Sequence, residues 1–564
     1  MDIKTLYDAD INNLTTAKNA YDTLFSAFGR HIENWQHEVV DRLGHSEWTG
    51  TAAGHAGTRI QSLGTELQAA KQELGLISKA LSDAAEGIAA AQAHLISALD
   101  DARNNKMTVA PDGGITWNKD PDSADYAGDK AEATAKEISK RITTALSEAD
   151  HTDRTISARL AKLATNATNG TGLDSATAKA DQAAADALGQ VPAAGTDPTS
   201  VKAWWNGLTD AQQQRMIQTE HDRLGALDGI PATARHQANL INLRRGKEDL
   251  QRQLDGLGPE PKKMLSVAET NGGPVENPDY TAWKKKREDL EEKMKGVKAI
   301  EARLKKDEPP AFLLGFDTKG HGHAIVAANN PDTADNVSTY VPGTGSRLAE
   351  MGTNMDRSDL MVASADEANG HRKTTSSVTW IGYDAPQSIF PEAADDTYAK
   401  NAESKLRGFQ DGLRATHEGK PSNNTVLGHS YGTTVVGYTM RDKGLPVDNV
   451  VLVASPGAGV EHARDLGVAP SRVYAAQGDD DIIQNTPPEQ AENWVSNFTN
   501  NVGHWAGSVD SPDHHLAFGR DPSVPQFGAV ALPTSPGTDH SGYWEKGSRS
   551  LRAMGEAITG RPIS

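Results

Sequence analysis

Gly428-His429-Ser430-Tyr431-Gly432 satisfies the pattern G-x-S-x-G, and its surroundings give that short match weight. Thr425-Val426-Leu427 ahead of it reads as a strand, and Thr433-Thr434-Val435-Val436-Gly437 behind it opens a helix. A serine forced into so tight a strand-to-helix turn projects its hydroxyl from the sheet edge, and the flanking glycines keep side chains from clashing across the turn. The helix N-terminus aims its dipole at negative charge developing there. Ser430 is therefore the expected nucleophile, with Gly428, His429 and Gly432 shaping its elbow. A glycine-rich turn with an idle serine is the competing reading.

A serine hydroxyl is a weak nucleophile at neutral pH and needs a base, which in turn needs an orienting acid. In sheets of this kind the chain order is Ser, then Asp or Glu, then His. Downstream of Ser430, the strand Arg472–Ala476 ends in Gln477-Gly478-Asp479-Asp480-Asp481-Ile482-Ile483. Asp481 is chosen as the acid because apolar residues follow it; Asp480 and Asp479 stay as alternatives. Candidate bases after it are His504, His514, His515 and His540. His540, in Asp539-His540-Ser541-Gly542-Tyr543-Trp544 just ahead of the amphipathic stretch Ser548–Ile558, is preferred. The oxyanion needs two backbone N–H donors: one from Tyr431, the residue after the nucleophile, the other from a loop after an early strand. Pro342-Gly343-Thr344-Gly345-Ser346 is such a loop, with Thr344 or Gly343 donating. It lacks the lysine and spacing of a phosphate-binding loop. His321 and His323 lie between two early strands without a carboxylate cluster beside them in the sequence, so neither a metal site nor a cofactor is expected.

The elements that must hold these residues begin at Ala311. Short apolar runs bounded by Gly, Pro and Asn (311–316, 323–328, 337–341, 378–381, 425–427, 449–453 and 472–476) alternate, in the later part, with the amphipathic stretches 400–417, 433–441 and 460–466. Such alternation predicts a mostly parallel sheet with helices on both faces, starting antiparallel because the first strands lack intervening helices. Ahead of it the chain reads as helical. Tyr7, Ile11, Leu14, Tyr21, Phe25, Phe28, Ile32, Trp35 and Val39 recur at helical spacing, and a seam from Ile60 through Leu67, Leu81, Ile88 and Leu95 to Ala98 follows a Gly44–Gly50 bend. These predict an antiparallel helical hairpin. Residues 107–117 (MTVAPDGGITW) read as a small β-hairpin, and 166–200 as linker with one helix. Residues 283–307 interleave both signs of charge, as a solvated helix does.

Composition narrows the class. The chain has 564 residues, 57 Lys plus Arg against 76 Asp plus Glu, and a formal charge of −19. A field of that sign repels phosphate backbones, so nucleic acid is not an expected partner. No run approaches the roughly 18 apolar residues of a spanning helix. Cysteine is absent, which removes thiolate chemistry and disulfides. The start, MDIKTLYDAD, lacks the basic and apolar regions of a cleaved signal peptide.

Two resemblances follow from these residues. Trp48-x-Gly50 in the bend between two long helices resembles the WXG-type proteins of type VII secretion over residues 1–105, which implies a small helical partner and a secreted or cell-envelope location. The Tyr-x-x-x-Asp/Glu export signal of that group is missing, since Tyr126 has Asp129 at +3 and Lys130 at +4, and a cytoplasmic location is the alternative. From residue 200 to 564, PAFLLGFDTKGHGHAIVAANNPDTADNVSTYVPGTGS, VTWIGYDAP, VLGHSYGTTVVGY, VVLVASPGAGV, FGRDPSVPQFGA and DHSGYW fall in the order seen in an actinobacterial α/β-hydrolase family long catalogued as a domain of unknown function, which they resemble. That resemblance implies a serine hydrolase with nucleophile Ser430, acid near Asp481 and base His540, and leaves the substrate open. The expected organisation is a helical hairpin (1–105), a helical linker region with the β-hairpin (106–198), a helical extension or cap (199–310) and an α/β-hydrolase core (311–564). The expected activity is hydrolysis of small or lipid-like carboxylic esters. The alternative is an interaction or toxin protein whose helical front end binds partners.

Overall fold

The computed structural model describes residues 1–564 apart from 125, 266–274, 389–391 and 486–514. It divides into two compact units, Met1–Pro192 with Ala203–Met216, and Ala193–Lys202 with Ile217–Ser564.

The first unit is built on four long helices: α1 (Ile11–Trp35), α2 (Thr51–Asn104), α3 (Ala131–Asn169) and α4 (Ser175–Leu188). Asp10 caps α1 through Asn12 N and Asp174 caps α4 through Thr177 N. The expected β-hairpin is present, with Met107–Val109 paired antiparallel to Ile115–Trp117. The seam on α2 is buried only in its second half. Ile88, Ala91, Leu95 and Ala98 pack with Ile138, Ile142, Ala145 and Ala149 of α3 and with Leu6 of the short helix Ile3–Tyr7, so three helices share that end. α1 buries none of its residues, and Trp48, at 53% exposure, stands in solvent at the bend. The seam is buried where α3 joins α2 and stays partly exposed along the earlier turns.

The second unit carries the expected sheet. Its eight strands are β1 (Ala311–Asp317), β2 (His323–Ala328), β3 (Asn336–Val341), β4 (Thr375–Ile381), β5 (Asn423–His429), β6 (Asn449–Val453), β7 (Val473–Ala476) and β8 (Val530–Ala531). They lie in the order β8-β7-β6-β5-β3-β4-β2-β1. Pairing is parallel from β4 through β8 and antiparallel for β1–β2 and β2–β4.

Alternate side chains serve opposite faces, as pleating requires. Val426, Val450 and Leu452 point into a core closed by α8 (Thr397–Thr416) and α9 (Tyr431–Lys443). Leu427, Val451 and Val453 point into another, closed by α7 (Met351–Asn369) and α10 (Arg549–Ile558). Burial on both faces explains the unbroken apolar runs of β5 and β6.

Two helices of the segment read as an extension or cap, α5 (Ala232–Asp255) and α6 (Pro278–Leu304), pack on the sheet. Leu243, Leu250, Leu290, Val297 and Ile300 pack with Leu313, Val326 and Ile381 of β1, β2 and β4. The buried Arg303 guanidinium grips Asp359 of α7 with Nη2–Oδ1 2.8 Å and Nε–Oδ2 2.9 Å. No described helix is long and apolar enough to cross a membrane.

Candidate active site

The elbow sits where β5 gives way to α9. Ser430 has φ 54° and ψ −131°, a left-handed backbone that a residue with a Cβ adopts only under constraint. The constraints are visible. Ser430 N donates to Val453 O at 2.9 Å, and Thr433 N and Oγ1 both donate to Ser430 O, at 2.9 and 2.7 Å. A Cβ at 428 would lie 2.6 Å from Thr433 Cα, and one at 432 would lie 2.0 Å from Val341 O, so both positions demand glycine.

Of the other residues singled out from the sequence, Asp481 and His540 come together at the same end of the sheet. His540 Nδ1 lies 2.8 Å from Asp481 Oδ1. Asp481 is fully enclosed and further bonded: Tyr543 Oη donates to Oδ2 at 2.6 Å and Ile483 N to Oδ1 at 2.9 Å. Tyr543 Oη in turn accepts Gly478 N at 2.7 Å. Burial pushes the Asp481 carboxyl upward, but His540, Tyr543 and the Ile483 amide outweigh it and hold it below its ordinary value. Asp479 and Asp480 are exposed, and neither bonds to His540. With Nδ1–H donated to Asp481, Nε2 is left with a free lone pair. Ser430 Oγ and His540 are not hydrogen bonded to each other; such bonds commonly tighten only once substrate is bound.

The loop 342–346 lies directly over the elbow. A Cβ on Gly343 would stand 2.6 Å from His429 O, 2.7 Å from Tyr431 N and 2.9 Å from Ser430 Cβ. Gly345 N donates to Pro386 O at 2.7 Å and Ser346 N to Gly343 O at 3.1 Å, while the N–H groups of Gly343, Thr344 and Tyr431 have no acceptor among the described residues. The loop is held from beneath by Tyr383, whose Oη donates to Pro342 O at 2.8 Å.

His515, in a short hairpin with Gly519–Arg520, pairs through Nε2 with Glu461 at 2.9 Å, and His504 and His514 lie outside the described residues. His323 does have carboxylates beside it, contrary to the sequence expectation: Nδ1 is 3.1 Å from Asp317 Oδ1 and Nε2 is 3.1 Å from Asp384 Oδ1. Burial opposes its protonation, but Asp317 and Asp384 prevail and raise its pKa. The backbone of His321 accepts Leu348 N. No cluster of three His, Asp or Glu able to hold a metal occurs among the described residues.

Sequence reasoning misses Tyr543, Tyr383 and the contacts of His429. Tyr543 follows His540 by three residues, and an aromatic hydroxyl so close to that histidine is the signal that could have found it.

A family model described as alpha/beta hydrolase matches residues 317–491, which include the elbow and Asp481. An uncharacterised protein of Mycobacterium tuberculosis is 30% identical over 388 residues, covering 66% of this chain and 57% of that protein, so the chain spans little more than half of that relative. An uncharacterised protein of Mycobacterium bovis is 31% identical over 190 residues, covering 32% of this chain and 71% of that protein. Among solved structures, the esterase LipW from Mycobacterium marinum is similar at 12% identity and TM-score 0.29, over 53% of this chain and 96% of that one. The mostly parallel eight-stranded sheet and the matching family model together give the C-terminal part of this chain the α/β-hydrolase fold.

Proposed function

We propose that the second unit is a serine hydrolase of carboxylic esters, small or lipid-like, working through an acyl-enzyme. The observation that carries this reading is the 2.8 Å His540–Asp481 pair standing against the strained Ser430 elbow. Ser430 Oγ attacks the ester carbonyl carbon while His540 Nε2 takes its proton. Asp481 holds the imidazole in the Nδ1–H tautomer and balances the imidazolium that forms. The oxyanion is received by the N–H of Tyr431 and that of Gly343 or Thr344, each worth about 2.7–4 kcal/mol in the transition state. Collapse expels the alcohol, which leaves with the proton from His540. Water, deprotonated by the same ring, then attacks the acyl-serine and releases the acid.

A fluorophosphonate probe tests it. Labelling of the wild type and none of Ser430→Ala is the expected result, with p-nitrophenyl esters of increasing chain length ranking the acyl group. No labelling at pH 8 overturns the reading.

One observation favours a second role for the first unit: Leu24, Phe25 and Trp48 are 46%, 37% and 53% exposed on the hairpin. On this reading the hairpin engages a small WXG-type helical partner and accompanies export by a type VII-like route. Co-purification with a co-expressed partner supports it; a monomer retained in the cytoplasm overturns it.

A further inference from the structure

His429 occupies the variable position of the elbow, and nothing in the acyl-transfer steps uses its side chain. Yet its surroundings are specific. Nε2 lies 2.9 Å from the backbone carbonyl oxygen of His540. Its ring centroid is 4.9 Å from that of His540, tilted by 38°, and 5.0 Å from that of Trp544 in an edge-to-face contact at 89°. Tyr543 contributes a further edge at 6.3 Å. Arg357 of α7 stacks on Trp544 with its guanidinium 4.4 Å from the ring and donates to Tyr340 Oη at 2.8 Å, so the wall behind His429 is itself pinned. The His429 carbonyl oxygen lies beneath the oxyanion loop, where a Cβ on Gly343 would meet it at 2.6 Å.

We infer that His429 is a positioning residue for the base: Nε2–H donated to the His540 carbonyl fixes where the His540 ring stands relative to the serine one residue along the chain. This deepens the serine-hydrolase reading and rests on it. The chemistry follows from the bond. A carbonyl can only accept, so Nε2 must carry a proton, and a neutral imidazole then has none on Nδ1. Burial, with the charges of His540 and Arg357, holds the His429 pKa well below its ordinary value. The groups that face it are His540, Tyr543 and Trp544 from the base loop and Arg357 from α7; a second proton on His429 would set a cation against the ring that must itself become cationic during turnover. One residue thereby gives the base and the oxyanion loop a common reference: its ring bears on the base and its backbone on the loop.

The test compares His429→Leu, which fills space without donating, with His429→Gln, whose amide N–H can reach the same carbonyl. With a p-nitrophenyl ester, the leucine variant is expected to lose about 10–100-fold in kcat with little change in KM, the loss typical of a misplaced catalytic group, and glutamine should recover most of it. Thermal melts check folding. A leucine variant with wild-type kcat, or a folded glutamine variant as slow as leucine, overturns the inference. Should the leucine variant fail to fold, ring-nitrogen NMR of the wild type decides: a His429 that stays neutral with its proton on Nε2 from pH 5.5 to 8.5 supports it, and one that titrates or carries its proton on Nδ1 overturns it. Ser430→Ala separates the two levels. If that variant keeps the esterase rate, the underlying reading fails; if it is dead while His429→Leu is wild-type, only the positioning role fails.

Discussion

Gly343→Ala is the sharpest single test of the site. The added methyl carbon would lie 2.6 Å from His429 O, 2.7 Å from Tyr431 N and 2.9 Å from Ser430 Cβ, where ordinary contact begins near 3.4 Å. All three are atoms of the elbow, which the Ser430 N–Val453 O and Thr433–Ser430 O bonds hold in place, so the loop must give way. A retreat of roughly 0.5–0.8 Å takes its N–H out of the 2.7–3.1 Å window in which an oxyanion is stabilised. The methyl would also crowd the Tyr431 N–H, the other donor. Losing one donor costs about 2.7–4 kcal/mol, so kcat on p-nitrophenyl esters should fall about 100–1,000-fold. KM should change little, because these donors bind the transition state more than the substrate. Gly345→Ala is the matched control. That glycine has φ +80°, and a methyl added to it would meet nothing within 4 Å, so alanine there should lower stability by about 1–2 kcal/mol and leave kcat alone. A folded Gly343→Ala enzyme within about threefold of wild-type kcat would refute the placement of the oxyanion loop.

Other perturbations read other parts of the second unit. Tyr543→Phe strips Asp481 Oδ2 of a 2.6 Å donor and Gly478 N of its acceptor; urea unfolding should show a loss of about 2–3 kcal/mol, and kcat should fall as Asp481 becomes harder to ionise. The folded pKa of Asp481 is lowered, so its pairing stabilises above the unfolded value near 3.9 and is lost as pH falls through the folded value beneath it. Melting points from pH 6 to pH 2 should therefore drop less steeply in Asp481→Asn than in wild type. For His323 the sign reverses: its pKa is raised by Asp317 and Asp384, so its stabilisation is complete below about pH 6.5 and lost as pH rises through the folded value. His323→Gln should remove that decline between pH 6 and 8.5, and equal declines in both proteins would count against a doubly paired imidazolium. Leu427→Ala, in the fully buried centre of β5, should cost about 2–5 kcal/mol by calorimetry with the labelling of Ser430 retained.

The elbow is legible in the sequence because strand, turn and helix are adjacent in the chain, and local pattern is what sequence carries best. The same holds for the first seven strands, though β4 runs three residues ahead of its apolar stretch. Thr375, Ser376 and Ser377 look like loop residues, yet they are buried, with Ser377 Oγ accepting from Ser338 Oγ at 2.9 Å and Ser376 Oγ donating to Asn329 O at 3.0 Å. Polar strand residues pass unnoticed when their partners come from elsewhere in the fold. β8 has two residues, too few for any period to register. Choosing among Asp479, Asp480 and Asp481 needs burial, which depends on how the 538–543 segment folds back over the turn. On α1 the apolar spacing is real but does not foretell burial, since spacing says which face a helix offers and not whether anything arrives to cover it. Whether α5 and α6 cap a cleft or line a sheet is likewise a tertiary matter.

The bond between His429 and the His540 carbonyl spans 111 positions of chain. A ribosome adding about 5–20 residues per second needs roughly 5–20 s to cover that distance. On the proposed mechanism, the nascent protein displays throughout that interval a serine with no partner to activate it. Reactivity would thereby be deferred until the sheet has closed around its later segments, and a chain stalled partway through synthesis would carry the serine without the proposed base.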